Sequence, residues 1–496
     1  MTMSQAYFFD SHKPFDQKAG IFVHHHGASI YPTVNLTNYR DYINNELDLV
    51  ETMGYRHIET PFTHVTDENS EFVTVAQYLV EEALNRNLTV MVIAQGTQDS
   101  SMSDNEIKSD SQNYLQVMTN FVIKNAGKFL IYEGLNEPES SNWYGQNTMQ
   151  GYQQAMLWDN KLKAVVNRYD STATFVEGVI NPIYGIPLIK QGLINPAAYA
   201  IHSYVKNIGT KGNNVPEAQL LNATYPTSYN GHKFAMTEFG IAAEYDGSDN
   251  EDDWQGIVSA DEAAALTVRQ MIIQDALGAP MQYNFILGYL YVFKKYQFFD
   301  LNANITPTGT AVKNALEELQ GYYFHAWLWT DVGTHHSYIA KYIDKDGLAK
   351  YAYWNADGSS ADIIVGTNTL HATSAPQFTI TNLEASVNTL VVQTPVGLST
   401  IDVKNLPINQ SVPLQLPHVE GYQHNEINAT LDGTGKLTLE GDIIYRKADE
   451  SGLKVQAKNL NGSFKNLKLK SPDGTSWQAV VVAGNISWVK NQGNVI

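Results

Sequence analysis

No cysteine occurs anywhere in the 496 residues. Disulfides, thiol catalysis and cysteine-ligated metal sites are therefore excluded, and cysteine usage says nothing of the redox compartment. Basic side chains are scarce as well: 32 Lys and Arg stand against 51 Asp and Glu, a formal net charge of −19. Such a surface repels polyanions, which argues against nucleic acid or anionic membrane as a partner and suits a neutral or weakly charged substrate. No apolar run approaches the roughly 20 residues that a membrane-spanning helix needs. The opening segment, "MTMSQAYFFDSHKPFDQ", lacks the charged-then-apolar plan of a secretory signal. The expected location is extracellular or periplasmic if a signal has been removed, and otherwise cytoplasmic. No G-x-G-x-x-G phosphate loop follows the first apolar run, which instead reads "HHHGAS".

What the chain does have is apolar residues, 43% of the total, enough for a large core across two or three domains. Up to about residue 320 short apolar runs alternate with amphipathic stretches. The runs at 19–26, 56–62, 88–96, 128–136, 173–181, 198–204, 233–240 and 280–288 predict eight strands. Helical patterns lie between them at 39–54, 70–87, 114–127, 152–170, 259–278 and 308–321, with Ser70 as an N-cap and Gly54 as a terminator. Shorter helical segments are expected near 184–192 and 215–224. Eight strands each followed by a helix predict an α/β fold, the (β/α)₈ barrel, over residues 1–321. A doubly wound open sheet is the rival, and the missing phosphate loop counts against it.

Beyond residue 322 the texture changes to period-two alternation broken by turn sequences such as "DKDG" and "ADGSS". One or two antiparallel β-sandwiches are expected, the first over 322–405 and the second, or a continuation, over 406–496. This part is expected to brace the barrel or bind sugar without supplying catalytic groups.

In such a barrel the chemistry lies at the C-terminal ends of the strands. The fourth run, "FLIYEGLNEP", delivers Glu137 at its exit, and the seventh, "KFAMTEFG", delivers Glu238. Two carboxylates on opposite strand ends suit glycosidic cleavage, one as acid and one as nucleophile. Here the chain resembles the clan A glycoside hydrolases, retaining (β/α)₈ enzymes with the acid/base after strand four and the nucleophile at strand seven. "LNEP" (135–138) and "TEFG" (237–240) carry the likeness, which covers the first 320 residues or so. The resemblance implies Glu137 as acid/base, Glu238 as nucleophile and Asn136 on the substrate's 2-hydroxyl. It reads "IHSY" (201–204) as a His-x-Tyr that sets His202 near the sugar and Tyr204 near the nucleophile. Two features depart from the five-type cellulases and mannanases. Glu59 falls about where their strand-two arginine would stand, with Arg56 three residues earlier. Tyr283 and Tyr289 occupy the region of their strand-eight tryptophan. Barrel plus C-terminal sandwiches also resembles family eighty-six agarases and porphyranases and the family thirty-nine and thirty enzymes, which one sequence does not separate.

The expected function is thus a retaining β-glycoside hydrolase on a polysaccharide or oligosaccharide. Long segments after strands one, three, four and seven favour internal cleavage. The alternatives are a carbohydrate-binding or structural barrel without turnover and a metal-dependent hydrolase built on histidines. Candidate sugar contacts are His26, Trp143, Trp254 and Tyr283, with His64 a weaker one. Of His24, His25 and His26 at most two share one strand face, and no strand-end Asp joins them, so no metal site is expected. The acidic loop 244–256 lacks the EF-hand spacing and reads as solvated charge. No cofactor is expected. Glu133, Glu139 and Glu177 read as secondary, Glu133 as a hydrogen-bonding group inside the barrel.

Overall fold

The structure is a computed structural model that describes residues 5–23, 37–63, 65–96, 104–137, 149–179, 185–194, 196–209, 215–221, 233–244, 255–288, 294–300, 302–330, 336–365, 368–380, 383, 389–403, 411–431, 437–440, 443–447, 453–454, 468–470, 476–482 and 485–490. It divides into two compact units, one of residues 1–216 and 224–324, the other of 217–223 and 325–496.

The first unit is a closed barrel. Its strands are β1 (Ala19–Phe22), β2 (His57–Thr63), β3 (Thr89–Gly96), β4 (Ile131–Glu133), β5 (Thr174–Val179), β6 (Ala198–His202), β7 (Lys233–Phe239) and β8 (Gln282–Asn284). Each pairs in parallel with its sequence neighbours, and β8 pairs with β1 to close the ring. The helices are α1 (Tyr39–Met53), α2 (Glu71–Asn85), α3 (Asp104–Asn125), α4 (Met149–Tyr169), α5 (Gly185–Lys190), α6 (Ala260–Ala276) and α7 (Pro307–Glu318). The (β/α)₈ expectation holds. One unit is irregular: between β6 and β7 the described residues hold a π-helical turn, Glu217–Leu221, that groups with the second unit.

Local physics sets these elements. In α1 the buried Ile43, Leu47 and Val50 recur at helical spacing, and Gly54 ends the helix at φ 84°, a conformation that costs glycine nothing. Ser70 caps α2 by accepting the Val73 N–H. α6 is buried from Ala263 through Asp275, as a helix packed on most sides must be. Inside the barrel, Met91, Ile131, Val176, Ala200, Ala235, Met281 and Tyr283 pack with Phe8 of a short N-terminal helix. Lys18 beside β1 pairs with Asp275 of α6, both fully buried.

The second unit is antiparallel. A four-stranded sheet runs Tyr323–Thr330, Ser337–Ile343, Ala349–Asn355, Gln377–Thr379, and the hairpin Ala361–Val365/Asn368–Ala372 shares a core with it through Leu328, Ile339, Tyr351, Ile363 and Leu370. A second cluster joins Leu390, Val392 and Ile401 to Leu414, Ile427 and Tyr445, so one core runs across residue 405. Trp354 donates from Nε1 to Glu217 Oε1 at 2.6 Å, which ties the π-helical turn into this unit.

At the exit of β4, α4 reaches inward with Asp159. Its two oxygens accept the Leu135 N–H at 3.0 Å and the Gly178 N–H at 2.9 Å, so one buried carboxylate fixes the ends of β4 and β5. The close approach depends on Gly134, where an added Cβ would lie 1.7 Å from Asp159 Oδ1. Gly134→Ala is expected to lower stability by about 1–3 kcal/mol, the usual cost of overpacking where the neighbour is held in place. Thermal denaturation of the variant checks this, and an unchanged melting temperature would contradict it.

Candidate active site

Period-two alternation turns Ile131 and Glu133 of β4 into the barrel. Pairing with β5 continues past the strand, from the Gly134 N–H to Val176 O and from the Val179 N–H to Leu135 O. The chain is released only at Asn136, and Glu137 follows with φ 40°, a left-handed conformation that non-glycine residues adopt at a cost. Its side chain is 35% exposed. Across the barrel, the β6–β7 register shifts between Ile201 and His202, so that His202 faces Glu238 rather than the residue before it. Such an irregularity re-aims a strand end. It delivers Glu238, 13% exposed, toward the same space as Glu137.

Three groups meet there. His202 Nδ1 lies 2.9 Å from Glu137 Oε1, and its Nε2 lies 3.8 Å from Glu238 Oε2 and 3.9 Å from Glu133 Oε1. The Tyr204 hydroxyl donates to Glu238 Oε1 at 2.5 Å. One ligand atom each from Glu137, His202 and Glu238 lies within 4.8 Å of the others, so a carboxylate oxygen of each glutamate falls inside that distance. The acids around His202 favour its charged form.

Burial alone would favour neutral His202, but Glu238, the Glu137 hydrogen bond and Glu133 outweigh it and push the imidazole up to about 10. Burial raises Glu238 to about 7, with His202 and the Tyr204 hydrogen bond drawing it down and Glu137 and Glu133 pushing it up. Glu238 therefore becomes an anion near neutrality, aimed at by a cation and a hydroxyl.

The scaffold beneath is specific. Gln270 and Gln274 of α6 donate to Ser203 O at 2.5 Å and Ser203 Oγ at 2.6 Å, fixing the residue between His202 and Tyr204. The Ser203 N–H bonds Glu238 O at 3.0 Å. Tyr296 packs its ring edge-on against Tyr204, with centroids 6.1 Å apart.

Among the residues expected from sequence, the structure brings Glu137, Glu238, His202 and Tyr204 together, with Asn136 half-buried beside Glu137. His202 is engaged by Glu137 and 5% exposed. Tyr283 corrects the expectation of substrate binding: it is fully buried in the barrel interior, its ring covering Gly20, beneath the strand ends. His24, His25, His26, His64, Glu139, Trp143, Trp254 and Tyr289 lie outside the described residues, as do most residues of the long segments after β1, β3, β4 and β7. Glu177 is structural, accepting from the Ala197 and Ala198 N–H groups and pairing with Lys163. Sequence reading did not single out Asp159, Gln270, Gln274 or Tyr296. Their one visible signal is polar residues in buried stretches, which a single sequence does not distinguish from exposed ones.

No protein-family model matches the chain, and no curated protein does. Among solved structures, a family 39 glycoside hydrolase from the gut symbiont Bacteroides cellulosilyticus is similar at 14% identity and TM-score 0.50, over 74% of this chain and 81% of that one. A GH5-4 broad specificity endoglucanase from Ruminococcus champanellensis gives 12% identity and TM-score 0.45, over 64% and 99%. The Ignisphaera aggregans GH53 catalytic domain gives 13% identity and TM-score 0.43, over 61% and 97%. The first of these likenesses shows a shared barrel fold.

The ionisation of Glu238 is open to test. Carboxyl-labelled NMR is expected to show it titrating at about pH 7. Because the Tyr204 hydroxyl stabilises the anion, Tyr204→Phe should move that midpoint upward. A midpoint that stayed or fell would contradict the geometry.

Proposed function

We propose that this chain is a retaining β-glycoside hydrolase acting on a polysaccharide or oligosaccharide, with Glu137 as acid/base and Glu238 as nucleophile. One observation carries the reading: carboxylate oxygens from the exits of β4 and β7 lie within 4.8 Å of each other. Retaining sites hold their carboxyl groups about 5–5.5 Å apart, whereas inverting sites leave roughly 6.5–9.5 Å for a water. The barrel likeness to a family 39 glycoside hydrolase supports the same reading. The net charge of −19 favours a neutral or weakly charged glycan.

The steps follow from the contacts. The Glu238 carboxylate attacks the anomeric carbon as the bond to the leaving oxygen breaks. The leaving oxygen takes a proton from Glu137, and a glycosyl ester of Glu238 remains. His202 engages Oε1 of Glu137. In the second step Glu137, now ionised, takes a proton from water. The resulting hydroxide equivalent attacks the anomeric carbon and releases Glu238, restoring both groups. Tyr204 stabilises the Glu238 anion on departure, since its hydroxyl already donates to Oε1. The long segments after β1, β3, β4 and β7 favour internal cleavage. Agarose, porphyran, β-glucan, mannan and bacterial exopolysaccharide are the substrate candidates.

The test is a panel of these polysaccharides followed by chromatography of the products, then rescue of two variants on the substrate found. Glu238→Ala should abolish turnover. Glu137→Ala should lose about 10²–10⁴-fold on ordinary substrates, the usual contribution of general acid–base catalysis, and less on substrates with good leaving groups. Added azide should give a β-glycosyl azide with Glu137→Ala and an α-azide with Glu238→Ala. Binding of a polysaccharide by the wild-type chain without any product would favour the carbohydrate-binding reading instead.

A further inference from the structure

The exits of β4, β6 and β7 bring two carboxylates and an imidazole close enough to serve one metal ion. One ligand atom from each of Glu137, His202 and Glu238 lies within 4.8 Å of the other two. Between His202 Nε2 and Glu238 Oε2 the distance is 3.8 Å. A zinc-class ion bonds nitrogen and carboxylate oxygen at about 2.0–2.2 Å, so one ion spans two ligand atoms up to about 4 Å apart. Glu137 is 35% exposed and Glu238 13%, which gives an ion an approach from solvent. The Tyr204 hydroxyl donates to Glu238 Oε1 at 2.5 Å and orients the carboxylate, as outer partners of metal ligands do. Beneath them stands Glu133, which is 0% exposed. Neither of its carboxyl oxygens has a hydrogen-bond partner, and Oε1 lies 3.9 Å from His202 Nε2. Buried acceptors without a donor are costly. A divalent cation above them relieves more of that cost than the single charge of an imidazolium.

We propose that Glu137, His202 and Glu238 form a binding site for a divalent transition-metal ion of the zinc class, and that the bound ion is an inhibitor rather than a cofactor. Donor chemistry selects the ion. An imidazole nitrogen with carboxylate oxygens suits Zn²⁺, Cu²⁺ or Ni²⁺, whereas Mg²⁺ and Ca²⁺ take oxygen ligands. Zn²⁺ completes a set of three protein ligands with water. Binding displaces the His202 proton, as at every histidine ligand, and the ion takes over as the positive charge between the carboxylates. An ion held there occupies the space between the groups proposed as acid/base and nucleophile, where the anomeric carbon must lie. It also engages both carboxylates, so neither is left to act. The inhibition rests on the glycosidase reading, whereas the binding does not.

The test uses the full chain and Zn²⁺ alone. Calorimetric titration in a buffer that does not bind metals should show Zn²⁺ bound to wild type, with one ion per chain fewer in His202→Asn. Zn²⁺ should also raise the melting temperature of wild type more than that of the variant. Glu238→Gln keeps the shape of a ligand and removes its charge, and should weaken binding of that ion by at least about tenfold. Glu133→Gln should weaken it by about 10–100-fold, the usual effect of losing an outer partner of a metal site. Excess Mg²⁺ should not displace the ion. Absence of Zn²⁺ binding by wild type would overturn the proposal. So would the same number of ions at the same affinity in His202→Asn and Glu238→Gln, which would put the metal on other side chains. Should His202→Asn fail to fold, Glu238→Gln and Glu133→Gln decide. On a substrate that the chain cleaves, Zn²⁺ should suppress turnover and a chelator restore it, and full turnover by the zinc-bound chain would overturn the inhibition. Zn²⁺ bound through these residues without cleavage of any glycan would support the site and overturn the proposed function. Cleavage without Zn²⁺ binding would do the reverse.

Discussion

A protonated imidazole with carboxylates on both sides is the contact on which the site depends. His202 touches Glu137 at 2.9 Å and stands 3.8 Å from Glu238 and 3.9 Å from Glu133. Without that cation, the acids at this end of the barrel would repel one another in a poorly solvated space, and burial would drive them toward their neutral forms. The role proposed for Glu238 requires an anion. His202, together with the Tyr204 hydroxyl, is what draws Glu238 back from the rise that burial imposes, to about 7.

The scaffold is organised to keep that contact in register. α6 grips Ser203 with Gln270 and Gln274, and Ser203 grips the backbone of Glu238, so His202, Tyr204 and Glu238 are set by one connected hydrogen-bonded path. Asp159 does the same for the opposite wall, tying the exits of β4 and β5 so that Glu137 leaves the barrel from a fixed point. Asp159 is itself raised to about 7, chiefly by burial, against which the Gly178 and Leu135 N–H groups work. A buried carboxyl whose folded value exceeds its unfolded one favours the folded state below the unfolded value. That contribution is lost as pH rises through the folded one. Asp159 thus withdraws stability between about pH 4 and its folded value near 7. The chain tolerates this where Asp159 fixes the strand end that carries Glu137.

Much of this was legible before any coordinates. The eight strands, the barrel order and the exits bearing Glu137 and Glu238 follow from apolar runs that end in carboxylates. Gly54 and Ser70 mark helix ends for reasons that are wholly local. What sequence did not reveal is a matter of what lies across the barrel. The Glu137 contact at His202 Nδ1 is not visible in the sequence, because strand order does not say which way a ring leans. Tyr283 reads as a sugar contact until it is seen fully buried in the barrel interior with its ring over Gly20. Glu59 and Glu133 look like irregularities in apolar strands. Both are buried in the barrel, Glu59 at 1% and Glu133 at 0% exposure.

The stereochemistry of the first product tests the account most directly, because it depends on the Glu137–Glu238 spacing and on nothing else about the substrate. Proton NMR during the first minutes of hydrolysis, before mutarotation equilibrates the anomers, reads it. The account predicts that the β-anomer appears first from a β-linked substrate. An initial α-anomer would contradict the double displacement and the roles given to both glutamates.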